Sequence, residues 1–333
     1  MAHVKQFSRI AVLGAGSWGT ALANVAARAG HEVFLWGRNS GHIQDIAASR
    51  ENTRYLPGLA LESGVAPVQD LSCAEGVDAV LLVVPAQAQR ATAAALAPKL
   101  GAGIPVIICA KGIEQETRLF LGEAVGQALP NAPLAILSGP SFAGDVAKGL
   151  PTAVTIASQN AELARALADA LGTATFRLYH SDDMRGVEIG GSAKNVLAIA
   201  CGIAAGRGLG ASANAALVAR GFAELRRFGA AWGARQETLM GLSGLGDLVL
   251  TCGSEQSRNF AFGLALGRGN TLAEASGGKL AEGAFTASVL VDMAREKNVD
   301  VPIAEAVNAL LQGEIDIRRA IESLLSRPQR SEI

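Results

Sequence analysis

Ile10-Ala11-Val12-Leu13-Gly14-Ala15-Gly16-Ser17-Trp18-Gly19 is the stretch on which the fold turns. Its first residues are apolar on both faces, as in a strand covered by helices, and its glycines follow the G-x-G-x-x-G spacing that opens a helix. Gly14 allows the tight turn, Gly16 lets the backbone approach a pyrophosphate, and Gly19 lets helix and strand pack closely. The N–H groups at Ser17 and Trp18 then face phosphate, which the helix dipole also favours. The helix runs from Trp18 to Ala29 and ends at Gly30, a C-terminal cap. A bare glycine pattern is a weak signal, but its seat between a buried strand and an Ala-rich helix favours dinucleotide binding over a structural turn.

Outward from this unit, short β-branched runs alternate with helical patterns, the signature of a mostly parallel sheet. Candidate strands are Arg9–Leu13, Glu32–Trp36, Ala79–Val84, Val106–Ala110, Leu134–Leu137, Ala153–Ala157 and Phe176–Tyr179. From Asp183 onward, long Ala- and Leu-rich stretches of helical period take over. The expected class is α/β, with a Rossmann-type dinucleotide-binding domain over residues 1–185 and an all-α substrate domain over 186–333. The length of 333 residues agrees with two domains, since single cores stop growing at roughly 250–300 residues.

The second strand ends in Leu35-Trp36-Gly37-Arg38, where NAD enzymes normally carry an acid for the ribose 2′-hydroxyl. Arg38 offers a guanidinium to a 2′-phosphate instead, so NADP is expected to be accepted beside NAD. The alternative is a solvated surface arginine. Two more strand ends carry Ala110-Lys111-Gly112 and Ser138-Gly139-Pro140-Ser141. Their glycines can bring bare N–H groups to an anion, and Lys111 is a point charge for a phosphate or a polarised oxygen.

Lys194 is the sharper candidate. At helical spacing it shares a face with Val187, Gly190, Gly191, Ala198, Cys201 and Ala205. A lysine on a small apolar face either snorkels to solvent or lies against a cleft, and the glycines one turn away are expected to leave room for a ligand. Gly241–Asp247 adds a carboxylate that is equally readable as a helix N-cap. Ser257-Arg258-Asn259 opens an apolar helix, where an N-cap serine and an arginine make a phosphate site.

Composition narrows the classes. The formal net charge of -1 gives nucleic acid or a membrane surface nothing to bind. Cys73, Cys109, Cys201 and Cys252 form no C-x-x-C pair, so neither a metal cluster nor a disulfide framework is expected. The N-terminal residues lack the apolar core of a secretory signal, and apolar runs such as Val196–Ala205 are shorter than the about 18–20 residues of a membrane span. A cytoplasmic protein with small-molecule partners is expected.

Together the motifs resemble the bacterial-type NAD(P)-dependent sn-glycerol-3-phosphate dehydrogenases. The resemblance rests on Gly14–Thr20, Arg54–Pro57, Ala110–Ile113, Ser138–Ala143, Lys194–Ile199, Gly241–Thr251, Ser257–Asn259 and Glu282–Ala284, in order along nearly the whole chain. It implies interconversion of dihydroxyacetone phosphate and sn-glycerol 3-phosphate with NADP or NAD, for phospholipid synthesis, with Lys194 as the proton acceptor or donor. It implies substrate contacts at Lys111, Gly139, Ser141, Lys194, Asp247, Ser257, Arg258 and Asn259. Cofactor contacts implied beside the glycines fall at Ser17, Trp18, Arg38, Lys111, Ala143, Arg258, Leu280 and Glu282. A C-terminal architecture like that of 6-phosphogluconate dehydrogenase and a homodimer are implied as well.

Two competing readings remain. A β-hydroxyacid-type dehydrogenase also uses a helix lysine followed by asparagine, and a non-catalytic NADP sensor needs only the first domain. Ser276-Gly277-Gly278-Lys279 fits the S-x-x-K of some hydrolases but lacks their other motifs.

Overall fold

The computed structural model describes residues 7–277 and 281–326. The chain divides into two compact units between Glu188 and Ile189.

In the first unit, β1 (Arg9–Leu13), β2 (Glu32–Trp36), β3 (Val65–Val68), β4 (Ala79–Leu82), β5 (Val106–Ile108), β6 (Leu134–Ser138), β7 (Thr152–Ala157) and β8 (Phe176–Ser181) form one sheet. Its order is β3-β2-β1-β4-β5-β6-β7-β8. The first six strands are parallel in the doubly wound arrangement, whose order reverses between β1 and β4. In sheets of this kind, ligands bind beyond the carboxyl ends of the strands at such a reversal. β7 runs antiparallel to β6, and β8 is parallel to β7. Among the described residues six α-helices accompany the sheet: α1 (Ser17–Arg28), α2 (Ser40–Ser49), α3 (Gln89–Leu96), α4 (Leu121–Ala128), α5 (Ala143–Ala147) and α6 (Ala161–Leu171).

The strands are apolar on both sides because two cores share them. Ile10 and Val12 of β1 enter one cluster, while Ala11 and Leu13 enter the other. This is the period-2 alternation of a strand buried on both faces. The seven expected strands are present, β1 and β2 with the expected bounds and the other five with shifted ends. β3 was not among them: its four residues include Pro67, and it pairs only with β2 at the sheet edge, where a proline is tolerated.

The second unit is helical among the described residues. α7 (Met184–Gly206) runs across the division, followed by α8 (Gly210–Ala231), α9 (Gln236–Met240), a π-type turn (Leu242–Gly246) and α10 (Asp247–Cys252). After these come α11 (Arg258–Gly267), α12 (Leu272–Ser276), α13 (Glu282–Glu296), α14 (Pro302–Leu311) and α15 (Ile317–Leu325). By length and composition alone α7 could cross a membrane, but 83% of its apolar window is buried inside the protein. It is the core helix of its unit.

Glycines set how closely α7 meets α11. A Cβ on Gly202 would stand 2.1 Å from the Phe260 carbonyl oxygen, and one on Gly263 would stand 2.1 Å from that of Ile199. Gly206 and Gly267 repeat the pattern one turn on, so the two backbones touch without intervening side chains. The N-terminus of α11 is thereby fixed relative to the lysine-bearing helix.

Candidate active site

The turn after β1 assigns a different task to each glycine. Gly14 has φ +131° and donates its N–H to Trp36 O at 2.8 Å; a Cβ there would meet the Val83 carbonyl carbon at 2.8 Å. A Cβ on Gly19 would lie 1.7 Å from Gly14 O, so α1 could not approach β1 with any side chain in that place. Gly16 meets nothing within 4 Å. Its missing side chain serves space outside the turn, as expected where a ligand comes against the backbone. Ser17 turns its Oγ away to donate to Tyr55 O at 3.1 Å. The first turn of α1 has no side-chain cap and no acidic residue. Bare N–H groups at a helix N-terminus, uncapped and unopposed by a carboxylate, fit the pyrophosphate of a dinucleotide. Trp18 packs half-buried against the core. Arg38, just after β2, is exposed and makes no hydrogen bond or ion pair among the described residues.

The ends of β5 and β6 bring three further candidates together. Lys111 Nζ donates to Gly139 O at 3.1 Å, and Ser141 Oγ donates to the same carbonyl at 3.1 Å. Gly139 has φ +154°, and a Cβ on it would stand 2.8 Å from Val154 Cα of β7. Packing on β7 thus demands glycine, and its carbonyl is the acceptor that Lys111 and Ser141 share. Ala143 opens α5, partly buried against the core.

In the second unit, Lys194 is 5% exposed and donates from Nζ to Asp247 Oδ1 and to Thr251 Oγ1, the latter at 2.7 Å. Asp247 and Thr251 stand at i and i+4 on α10, one turn apart on the same face, and both are buried. The lysine does not snorkel. Asp247 is not an N-cap either, since Gly246 precedes it and its carboxylate is spent on the ammonium. The room expected beside Gly190 is filled: a Cβ there would meet Ser243 O at 2.5 Å and Gly244 Cα at 2.9 Å. That glycine lets the 242–246 turn lie on α7 and so delivers Asp247 to Lys194. Thr251 escaped the sequence reading as a site residue, although its i, i+4 relation to Asp247 was available.

Ser257 caps α11, its Oγ accepting from Phe260 N at 3.3 Å. Asn259 is buried, and its Oδ1 accepts from Gly283 N at 2.8 Å, tying α11 to the start of α13. Arg258 between them is exposed, and Glu282 is the first residue of α13. Leu280 lies outside the described residues. A buried, charge-compensated lysine and an arginine at a capped helix N-terminus equip this unit for proton transfer and for anion binding.

Comparison with known proteins places both halves. Residues 9–164 match the model of the NAD-dependent glycerol-3-phosphate dehydrogenase N-terminus, and residues 183–322 match that of its C-terminus. The chain belongs to the NAD-dependent glycerol-3-phosphate dehydrogenase family. A glycerol-3-phosphate dehydrogenase (NAD(P)+) of Azorhizobium caulinodans is 62% identical over 326 residues, covering 98% of this chain and 99% of the relative. One from Rhodopseudomonas palustris is 58% identical, with the same coverage. The crystal structure of glycerol-3-phosphate dehydrogenase from Coxiella burnetii superposes with a TM-score of 0.92 at 42% identity, covering 96% of this chain and 99% of that one. The family relation spans the glycine turn of the first unit and the Lys194 cluster of the second.

Proposed function

We infer that this chain is an NAD(P)-dependent oxidoreductase that interconverts dihydroxyacetone phosphate and sn-glycerol 3-phosphate. The observation that carries this reading is the buried Lys194–Asp247–Thr251 cluster in a family member whose first unit has the dinucleotide turn intact. When bound, the reduced nicotinamide supplies a hydride to the ketone carbon. Lys194 gives a proton to the ketone oxygen as negative charge develops there, and takes it back when the alcohol is oxidised. Asp247 and Thr251 fix Nζ, and the Asp247 carboxylate compensates its charge.

Gly14, Gly16, Ser17, Trp18 and Gly19 would hold the pyrophosphate and Arg38 the adenosine ribose, with Lys111, Ala143, Arg258 and Glu282 also on the cofactor. The substrate phosphate is assigned to the N-terminus of α11. There Ser257 occupies the Phe260 N–H, leaving those of Arg258 and Asn259 for an anion beside the Arg258 guanidinium. Lys111, Gly139 and Ser141 are proposed as further substrate contacts. In this reading the dinucleotide domain covers residues 1–185 and the substrate domain 186–333, and the protein is a cytoplasmic homodimer supplying glycerol 3-phosphate for phospholipid synthesis. The test is steady-state NADPH and NADH consumption with dihydroxyacetone phosphate. Turnover of that ketone at a specificity constant far above that of unphosphorylated dihydroxyacetone supports the reading; cofactor binding with no turnover overturns it.

A further inference from the structure

Four polar side chains of α1 stand at spacings of three or four residues, Ser17, Thr20, Asn24 and Arg28, and so line one face of the helix. All four engage the segment from residue 52 to residue 62. Ser17 Oγ donates to Tyr55 O, and Thr20 Oγ1 accepts from Asn52 Nδ2 at 2.7 Å. Asn24 donates to Ala60 O and accepts from Glu62 N, each at 3.0 Å, while Arg28 Nε donates to Glu62 Oε1 at 2.6 Å. The segment is a strap laced along the helix whose first turn is assigned above to the cofactor pyrophosphate.

Asn52 is the residue in which this lacing reaches the glycine turn. It is fully buried, and its Nδ2 donates both to Thr20 Oγ1 and to Ala15 O, the latter at 3.1 Å. Its Oδ1 is buried with no hydrogen-bond partner among the described residues, so the donor end is what holds the side chain. The reverse orientation would set Oδ1 against the Ala15 carbonyl oxygen. In a trans peptide the C=O and N–H point opposite ways. Holding Ala15 O on the Asn52 side therefore turns the next N–H, that of Gly16, to the other side. Gly16 is the glycine with open space around its Cα, and its N–H has no intramolecular acceptor among the described residues.

We propose that Asn52 is a positioning residue for the dinucleotide: by holding the Ala15 carbonyl it aims the Gly16 N–H at the cofactor pyrophosphate. The proposal rests on the first unit binding NAD(P), and it assigns to the Arg54–Pro57 region of the chain a purpose that is otherwise unexplained. Asn52 carries the strap's first polar tie, and Tyr55 carries the next.

The experiment compares wild type with Asn52→Asp, Asn52→Ala, Thr20→Val and Thr20→Ser. It reads KM for NADPH, KM for dihydroxyacetone phosphate, kcat, and NADPH affinity by fluorescence titration. Asp is isosteric but sets an oxygen against Ala15 O; Val keeps the volume of Thr20 but removes the acceptor that steadies the amide. The expected result is a rise of about 5- to 20-fold in KM and Kd for NADPH in the Asn52 variants, the size of one lost hydrogen bond to a buried group. Thr20→Val should show a smaller rise, Thr20→Ser should restore wild-type values, and kcat and KM for the ketone should stay within about twofold throughout. If the Asn52 variants do not fold, Thr20→Val against Thr20→Ser carries the test. An unchanged KM for NADPH in every folded variant, or a loss confined to kcat and thermal stability, overturns the proposal. Wild-type protein that fails to bind NADPH overturns instead the cofactor reading on which it rests.

Discussion

Lys194 on α7 donates from its ammonium to the carboxylate of Asp247, 53 residues further along the chain, and both side chains are buried. Neither group tolerates burial alone. The turn over residues 242–246, which packs onto Gly190, is what closes the distance between them.

Replacing Lys194 by alanine removes the proton and the positive charge that stabilises the developing alkoxide. General acid–base catalysis is commonly worth about 10²–10⁴-fold, so kcat should fall by at least that order. NADPH affinity by fluorescence titration should survive, because the glycine turn and Arg38 belong to the other unit. Near-normal turnover in a folded Lys194→Ala protein would make Lys194 structural.

Removing Asp247 alone strands a buried ammonium. Asp247→Leu should lower stability by about 3–5 kcal/mol, while Asp247→Leu combined with Lys194→Met should cost much less than the two single losses together. Urea unfolding of the four proteins measures this coupling. Additive losses would show that the pair does not act as a unit.

Arg38→Asp should reduce the specificity constant for NADPH far more than that for NADH, through loss of a phosphate partner and added repulsion. The exposed guanidinium has no intramolecular partner among the described residues to lose, so stability should hardly change. Equal losses with both cofactors would return Arg38 to the status of a surface arginine.

The parts of this molecule that were legible in sequence are those with local causes. β1, the glycine turn and α1 follow from residues 10–29 alone, because burial on both faces and the spacing of Gly14, Gly16 and Gly19 leave few alternatives. β3 escaped because a four-residue edge strand containing Pro67 has no local signature. Gly190 was misread for another reason. A glycine beside a lysine suggests space, and only the tertiary structure reveals the Ser243-Gly244 backbone occupying it. Thr251 and Asn52 likewise acquire meaning from partners 57 and 37 residues away.

Arg258→Ala should raise KM for dihydroxyacetone phosphate and narrow its advantage over unphosphorylated dihydroxyacetone, since the lost contact exists only with the phosphate. Ser257 would still cap α11, so the helix should persist. Steady-state kinetics with both ketones decides the matter, and unchanged discrimination would leave Arg258 outside the substrate site.

Glu224 on α8 ties the pH dependence of stability to the start of α14. Its Oε1 accepts from Ile303 N at 2.8 Å and its Oε2 from Ala304 N at 3.3 Å. Burial raises its pKa to about 7 against these two N–H groups and the nearby Arg227, with Asp300 adding to the rise. A carboxyl whose folded pKa lies above its unfolded one binds the proton more tightly in the folded state. Its contribution to stability is therefore complete below the ordinary carboxylate pKa and is lost as pH rises through about 7. The loss is on the order of 3 kcal/mol. Glu188 in the first unit, raised to about 7 mainly by burial, acts in the same direction. The wild-type protein should thus lose stability between pH 5 and pH 8. Glu224→Gln cannot ionise, but its amide places an NH₂ group toward one of the two backbone donors, which lowers stability equally at all pH. The informative quantity is consequently the slope rather than the level. Urea unfolding at pH 5, 6, 7 and 8 should give a shallower decline for Glu224→Gln than for wild type, with Glu188 supplying what slope remains. Parallel pH profiles for the two proteins would mean that Glu224 keeps an ordinary pKa and is ionised at the helix N-terminus throughout.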